Sequence, residues 1–552
     1  MWGMNSPLPW GRREYAGVYP PAEGDQPGSS SGCCDGAGLV SPAYPAGEPH
    51  ARFVIMIVSY RTAEMAIEAK HIAKRSENLS DWYTDVILKG ELADYAPVRG
   101  CMVYREYGYA IWERVKALLG GRIKAAGHSD VYYPLFIPKS LLMKEAEHVE
   151  GFSPEVAWVT IGGGEKLAEP LAVRPTSEVI IGVMWAKWIG SYRDLPVLQN
   201  QWANVVRWEK ATRPFLRTLE FLWQEGHTAH RTEEDAREET LKILELYRAF
   251  AEEDVCLSVL AGRKSDSEKF AGAVDTYAIE AMMPDGKALQ SGTSHFLGQN
   301  FAKAFDIKFL DEDNVEKHVW TTSWGVSHRI VGALIMQHGD DNGLVLPPKV
   351  APYQVVVVPI IYDDTKAQVL EAAEKLTAML RGATAFGEPL RVHADLDDTT
   401  NPGFKFSKWE LKGVPVRLEI GPKDLAASHM MSVARDNRAK VPIKFDLDAG
   451  TFEHEKLEAV LHGVHERIQK RARDEMNARL VETADFGEFK EIVAGKGFAV
   501  AGWDGTAETE AAIKEQTSAT VRVLKSEVTS GKVTCVFSGR PAQYIAYWGQ
   551  SY

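Results

Sequence analysis

Apolar positions recur along this chain with two periods, and the changes of period mark its elements. Residues 62–75, TAEMAIEAKHIAKR, repeat as a helix does, with Thr62 placed to cap it. Residues 79–92 form a second amphipathic piece. Over residues 109–126 the positions Ile111, Val115, Leu118 and Leu119 share one face, which predicts a long helix. Gly127 breaks it, and an extended run closed by Pro134 predicts a helix-then-strand unit. Further on, Pro175 holds Arg174 extended, and Thr176 or Ser177 can cap an apolar helix over 179–188. Residues 205–227, VVRWEKATRPFLRTLEFLWQEGH, predict a β-hairpin, two apolar arms around a polar turn. Residues 232–253 read as a charged, exposed helix. A small-residue strand over 286–295 follows, then a strand over 322–329 that delivers into a helix over 330–336. Beyond residue 353 the pattern alternates: strand 354–359, helix 366–380, strand 390–394, helix 403–412, strand 414–420. That alternation predicts a separate α/β domain. A charged helix over 453–481 leads to a last domain from about residue 486.

Several of these elements carry chemistry. Arg207 and Glu209, two apart, are expected on one face of the first hairpin arm, and Arg217 returns on the second. Two guanidinium forks with a carboxylate suit a triphosphate and its magnesium ion. Glu178 opens a helix, where the dipole favours a carboxylate, and it could bind an amine. Gln290, Thr293 and His295 are unevenly spaced, and a bulge in their strand would turn them to one pocket. The strand-to-helix turn before Arg329 is a ready anion site and supplies a further arginine.

Composition narrows the class. With 552 residues the chain should hold several domains; 45% hydrophobic and 25% charged is the make-up of ordinary globular protein. The longest apolar run, near 53–58, is too short to span a membrane. Five scattered cysteines, Cys33, Cys34, Cys101, Cys256 and Cys535, suggest no disulfide framework and fit a cytoplasmic home. A net charge of −13 argues against indiscriminate nucleic-acid binding. Locally, Lys405, Lys408, Lys412, Arg417, Lys423, Arg435, Arg438 and Lys440 outnumber the nearby acids, and a basic surface there suits phosphate. Residues 1–60 are rich in Pro, Gly and Ser, which predicts a disordered or spurious extension, with Met56 and Met65 as alternative starts.

Three of the pieces, in this order, resemble the signature motifs of class II aminoacyl-tRNA synthetases: residues 127–134, residues 205–225, and residues 325–332 with Arg329. RPTSE at 174–178, FLWQEGH at 221–227 and LQSGTSH at 289–295 resemble, more narrowly, the prolyl-tRNA synthetases of archaeal/eukaryotic-like type. The resemblance implies a mixed α/β chain. Residues 61–350 would be a catalytic domain on a mostly antiparallel sheet, 351–450 an α/β anticodon-binding domain, and 451–552 a small α+β domain. It implies ATP with Mg2+, L-proline and tRNA(Pro) as ligands, and a homodimer built through the first motif. Carried over by position, Arg207 would touch the α-phosphate and the prolyl carboxylate, with Arg207 and Arg329 as the catalytic pair. Glu209 would help hold the ATP end and its magnesium, and Arg217 and Thr218 the outer phosphates or the ribose and base edge. Phe221 and Arg329 would sandwich the adenine, and Gln290, Thr293 and Ser327 bind ribose and phosphates. Thr176 and Glu178 would grip the secondary ammonium of proline, and Trp223 and His295 wall its ring. Leu219 departs from some relatives, which carry arginine there. Related enzymes often bind zinc in the last domain through four cysteines; the matching positions here are Asp504, Thr509, Cys535 and Ser538. One thiolate cannot make that site, so the domain is expected to fold without zinc, with Cys535 buried. The short span between His227 and Gln290 leaves no room for a large editing insertion. A non-catalytic tRNA-binding paralogue is the alternative, but the arginines and Glu178 are all present.

Overall fold

A seven-stranded sheet forms the centre of the computed structural model, which describes residues 72–148, 155–529 and 531–552. Residues 1–60, both alternative starts, Cys33, Cys34 and most of the helix expected over 62–75 lie outside the described residues. Its last part, 72–75, is irregular or turn rather than helix. The first described helix, Leu79–Lys89, is capped by Asn78, whose side chain accepts from the Ser80 and Asp81 amides.

The strands of the large sheet are β1 (Ser129–Asp130), β2 (Val197–Val206), β3 (Glu220–His230), β4 (Val259–Arg263), β5 (Asp275–Met282), β6 (Ala288–Gly298) and β7 (Trp320–Ser327). They lie in the order β1-β2-β3-β7-β6-β5-β4. Every neighbouring pair is antiparallel except the short edge pair β1–β2. Side chains alternate across a strand, so register sorts the sheet into two faces. On one, Gly226 pairs with Trp324, and this face packs beneath the helices Glu106–Ala125, Glu233–Ala249 and Arg329–His338 through Val115, Leu119, Ile243, Tyr247 and Ile330. On the other, Trp223, Glu225 and His227 stand beside Ser327, Gly325 and Ser323, and Thr293 and His295 follow on the next strand. That second face carries the site.

The helix read as charged and exposed is amphipathic in fact. Ile243 and Tyr247 are buried in the core, and the helix ends at Ala249 in a wider π turn, Phe250–Asp254. Together with β4 and β5 it occupies the span between His227 and Gln290. The expected bulge is present: Ile279 pairs with Gly292 and Glu280 with Gln290, so Ser291 is the extra residue of β6. One correction concerns the hairpin. β2 ends at Val206 and β3 begins at Glu220, so Arg207, Glu209 and Arg217 ride on the connecting loop instead of on the strand faces. Pro214 and the left-handed Phe215 force a turn there, and the ladder cannot continue.

The second sheet holds β8 (Val355–Pro359), β9 (Val392–Ala394), β10 (Val416–Ile420), β11 (His429–Ala434), β12 (Lys440–Asp446) and β13 (Thr451–Phe452), in the order β9-β8-β10-β11-β12-β13. β8 is parallel to both neighbours and fully buried, as its unbroken apolar run requires; β11 to β13 add antiparallel strands that the alternation does not announce. The basic excess around it is largely neutralised. Lys405 is buried with its ammonium 2.8 Å from the Asp395 carbonyl, Arg435 forks onto Asp340 at 2.6 and 2.7 Å, and Arg438 pairs with Glu410.

A long helix, His454–Asn477, buries Leu457, Leu461, Val464, Ile468, Ala472 and Met476 at helical spacing and leads to the last sheet. Its strands are β14 (Leu480–Glu482), β15 (Phe498–Trp503), β16 (Thr520–Glu527) and β17 (Tyr544–Gly549), in the order β14-β15-β17-β16. In this domain Asp504 accepts from Thr509 at 2.5 Å and from Ser538 at 2.7 Å and pairs with Arg540 at 2.5 Å, while Cys535 is buried in the core beside them. Hydroxyls and a guanidinium already satisfy that carboxylate, and this donor set does not fit tetrahedral zinc.

Candidate active site

The site face of the sheet opens into a cavity of about 240 Å³. Thr176 and Glu178 line it from the start of the helix Glu178–Trp188, Arg207 from the loop after β2, and Phe221 and Trp223 from β3. Gln290, Thr293 and His295 reach it from β6, and Ser327 and Arg329 from the end of β7 and the helix after it. Ten of the thirteen residues expected at a site thus meet in one place, drawn from chain segments far apart. Glu209, Arg217 and Thr218 are not part of its lining. Arg217 holds Glu209 through both Nε (2.7 Å) and Nη2 (2.6 Å), so these two neutralise each other on the loop. Thr218 is buried and donates to the Glu220 carbonyl at 2.6 Å.

Arg207 is held by contacts that leave its fork free among the described residues. Its Nε donates to the Pro175 carbonyl at 3.1 Å, and the guanidinium lies 5.4 Å from the Phe221 ring centre and 5.3 Å from that of Trp223. Burial lowers its pKa from the ordinary arginine value, against the pull of Glu178, Glu225 and Glu209. Arg329 donates from Nε to the Leu216 carbonyl at 3.0 Å, and burial, with Arg207 nearby, lowers its pKa as well. Two desolvated guanidinium groups at one cavity attract anionic oxygens strongly.

Carboxylate and imidazole groups share the cavity with these arginines. The Thr176 hydroxyl donates to Glu178. Ser177 sits at the helix cap but does not cap it; its hydroxyl donates instead to Glu225, at 2.5 Å. Glu225 also accepts from the Ser177 amide (3.2 Å), the Gln201 amide (2.6 Å) and His227 Nε2 (3.1 Å). Burial disfavours the His227 cation, yet its bond to Glu225 and the charges of Glu178 and Glu225 outweigh that and raise its pKa; Glu225 moves down for the reciprocal reason. His295 is the opposite case. Burial, with His227 and Arg207 adding, lowers it to about 3, so it is a neutral wall, its Nδ1 3.0 Å from the Thr276 hydroxyl.

Glu225, His227, Phe270 and Thr276 were not singled out as site residues from sequence. For Glu225 and His227 a signal existed: they follow Trp223 at every second position, on one strand face. Phe270 belongs to the loop between β4 and β5 and packs against His295 with ring centres 4.7 Å apart; no local pattern marks it. Trp223 Nε1 and Ser323 Oγ are buried beside the cavity with no partner among the described residues, so polar ligand atoms are wanted there. Leu219, buried, donates its amide to the Gly100 carbonyl, and its side chain fills the space next to that glycine.

Comparison with known proteins matches this geometry. Residues 159–338, which hold most of the large sheet, match the tRNA synthetase class II core domain (G, H, P, S and T), and 354–450 match an anticodon binding domain. The sheet and its arginine-bearing cavity are therefore those of a class II aminoacyl-tRNA synthetase. Residues 486–552 match the C-terminal domain of prolyl-tRNA synthetase. The proline--tRNA ligase of Natranaerobius thermophilus is 53% identical over 473 residues, 85% of this chain and 95% of that protein. That of Symbiobacterium thermophilum is 50% identical over 88% of this chain and 98% of its own, and that of Chlorobium luteolum 52% over 88% and 100%. The chain belongs to the proline--tRNA ligase family, in its archaeal/eukaryotic-like form.

Proposed function

We propose that this cavity activates L-proline with ATP and passes the prolyl group to the 3′ end of tRNA(Pro). The observation that carries the reading is the pairing, within one cavity, of two desolvated arginines with Thr176, Glu178 and neutral His295. Glu178 and Thr176 receive the secondary ammonium of proline; Trp223 and His295 bound its ring. Arg207 spans the proline carboxylate and the α-phosphate. As the carboxylate oxygen attacks phosphorus in line and pyrophosphate leaves, Arg207 and Arg329 offset the charge that builds up on the phosphoryl oxygens. The 3′-terminal ribose hydroxyl of tRNA then attacks the acyl carbon of prolyl-adenylate, and AMP leaves. No side chain forms a covalent intermediate. Phe221 and Arg329 offer flat faces to adenine, and Gln290, Thr293 and Ser327 offer polar atoms to ribose and phosphate.

Mg2+ with ATP would supply charge neutralisation at the outer phosphates, and Glu209 would be the carboxylate that holds its shell. That role requires the Arg217–Glu209 pair to open, which frees Arg217, next to Thr218, for the same phosphates. We read residues 61–350 as the catalytic domain, 351–450 as the anticodon-binding domain and 451–552 as the C-terminal domain. For tRNA, a second cavity of about 360 Å³ in the 351–450 domain is lined by Phe406, Arg417, Arg438 and Lys440, with the Arg417 guanidinium 4.0 Å from the Phe406 ring centre, an arrangement suited to an unstacked base. A homodimer is supported by Phe136, Trp158 and Ile161, which stay exposed on the small sheet that follows the first motif. Free cysteines at Cys101, Cys256 and Cys535 accord with a cytoplasmic setting, and among the described residues no helix is long and apolar enough to cross a membrane.

ATP–pyrophosphate exchange tests the reading. Proline should drive exchange well above alanine, threonine or no amino acid, and phenanthroline should leave the rate unchanged if no zinc supports the fold. No exchange with any amino acid, from folded protein that binds tRNA, would instead favour a non-catalytic tRNA-binding paralogue.

A further inference from the structure

The wall of the cavity beside His295 is not held by the large sheet alone. Residues 264–274, between β4 and β5, place Glu268, Lys269 and Phe270 at the cavity. The Phe270 ring packs against His295, tilted by 33°, and its amide donates to Thr276, the residue that also bonds His295. Part of the loop's grip comes from the sheet, through the Lys264 amide on the Thr276 carbonyl and the Val274 amide on the Phe296 carbonyl. The rest comes from the last domain. Glu510, buried on the helix Ala507–Thr517, accepts from the Ser265 hydroxyl at 3.0 Å and the Ser267 hydroxyl at 2.5 Å, and is fixed by the Val521 amide at 3.1 Å. Arg522 of β16, also buried, lies 3.3 Å from Glu268 and 3.4 Å from Glu280. Lys264, at the start of the loop, closes the cluster with a 2.9 Å pair to Glu280, the β5 residue that pairs with Gln290 beside the bulge of β6.

We propose that Glu510 and Arg522 are positioning residues for the amino-acid pocket: through Ser265, Ser267 and Glu268 they hold the 264–274 loop, and with it Phe270, against His295. The C-terminal domain thereby sets amino-acid affinity and discrimination in the first, tRNA-independent step. The physical reason is the cost of a loose wall. A pocket that rejects a smaller amino acid only by missing contacts has little energy to discriminate with, and a mobile wall surrenders part of it. A buried cluster fixes the loop because separating any member leaves charge or hydroxyl unpaired in a dry place. This inference rests on the reading that the cavity binds proline.

The test uses ATP–pyrophosphate exchange by the full chain, with KM and kcat resolved for proline and for ATP. In Arg522→Ala and Ser267→Ala the KM for proline should rise about tenfold, the KM for ATP should stay within about twofold, and the ratio of kcat/KM for proline over alanine should fall; Arg522→Lys should recover part of the loss. Ser267→Ala removes one surface-side hydroxyl and keeps the test open should Arg522→Ala not fold. Folded variants with unchanged proline KM, or with proline and ATP KM raised alike, overturn the proposal. A wild-type protein without proline-driven exchange would instead refute the reading of the cavity itself, so the two failures are distinct.

Discussion

At the residue scale, the site depends on one carboxylate, Glu225, whose bonds are taken up by its neighbours. Glu225 satisfies the Ser177 amide and hydroxyl, the Gln201 amide and His227 together, and it is almost wholly buried. Glu225→Ala removes the acceptor from all of them and leaves His227 without its counter-charge. Breaking such a buried pair from one side costs about 3–5 kcal/mol. Thermal unfolding should show the loss, and proline KM should rise because the Thr176–Glu178 turn leans on Ser177. Between Glu225 and His227 stands Gly226, where a Cβ would come within 2.1 Å of the Trp324 ring. Trp324 is buried under the Glu233–Ala249 helix, so Gly226→Ala should destabilise by about 1–3 kcal/mol, read as a lower Tm, with greater loss if the two strands part. Arg207→Lys should cut kcat/KM for pyrophosphate exchange by about 10²–10³-fold, since an ammonium neither spans two oxygen pairs nor replaces the guanidinium beside the Phe221 and Trp223 rings.

At the scale of elements, the loop from Arg207 to Thr218 behaves as a device separate from the hairpin that carries it. Its base is fixed by the Arg207 amide on the Leu219 carbonyl, and its far turn by Tyr83, whose hydroxyl donates to the Pro214 carbonyl at 2.7 Å. Its two sides are joined by the Arg217–Glu209 pair, which is partly exposed and therefore weak. A weak pair is what a triphosphate can displace. Arg217→Ala should raise the KM for ATP several-fold and leave that for proline nearly unchanged, a split that steady-state exchange kinetics would show. An equal rise in both would place Arg217 in the support of the whole site.

At the scale of the whole molecule, buried histidines set the response to acid. His295, His328 and His338 are each lowered to about 3, by burial first. A histidine depressed in the folded state adds stability that is complete above its ordinary pKa of about 6.5 and is lost as pH falls toward the folded value. Their sum predicts a Tm that drops progressively below about pH 6.5. His227 acts oppositely: raised by Glu225, it stabilises below its ordinary pKa and loses that contribution as pH rises through its higher folded value. One residue of that sign against several of the other leaves the acid-sensitive trend in place, and a scan of Tm between pH 8 and 5 checks it.

The sequence by itself determined the periods, and through them the strands and helices that line the site. Period two along residues 221–227, the forced extension before Pro175 and the bulge signalled by the uneven spacing of Gln290, Thr293 and His295 are local properties, and local sterics fix them. What only the tertiary structure decided is which polar groups use each other up. Arg217 and Glu209 are near in sequence, but nothing local says that they pair instead of lining the cavity. Lys405, Arg435 and Arg438 read as a basic surface and prove to be paired with Asp395, Asp340 and Glu410. The grip of Glu510 and Arg522 on a loop more than two hundred residues earlier in the chain depends on how the last domain docks. Periodicity records which side of an element faces the core; it carries no record of which distant partner satisfies a charge once that side is buried.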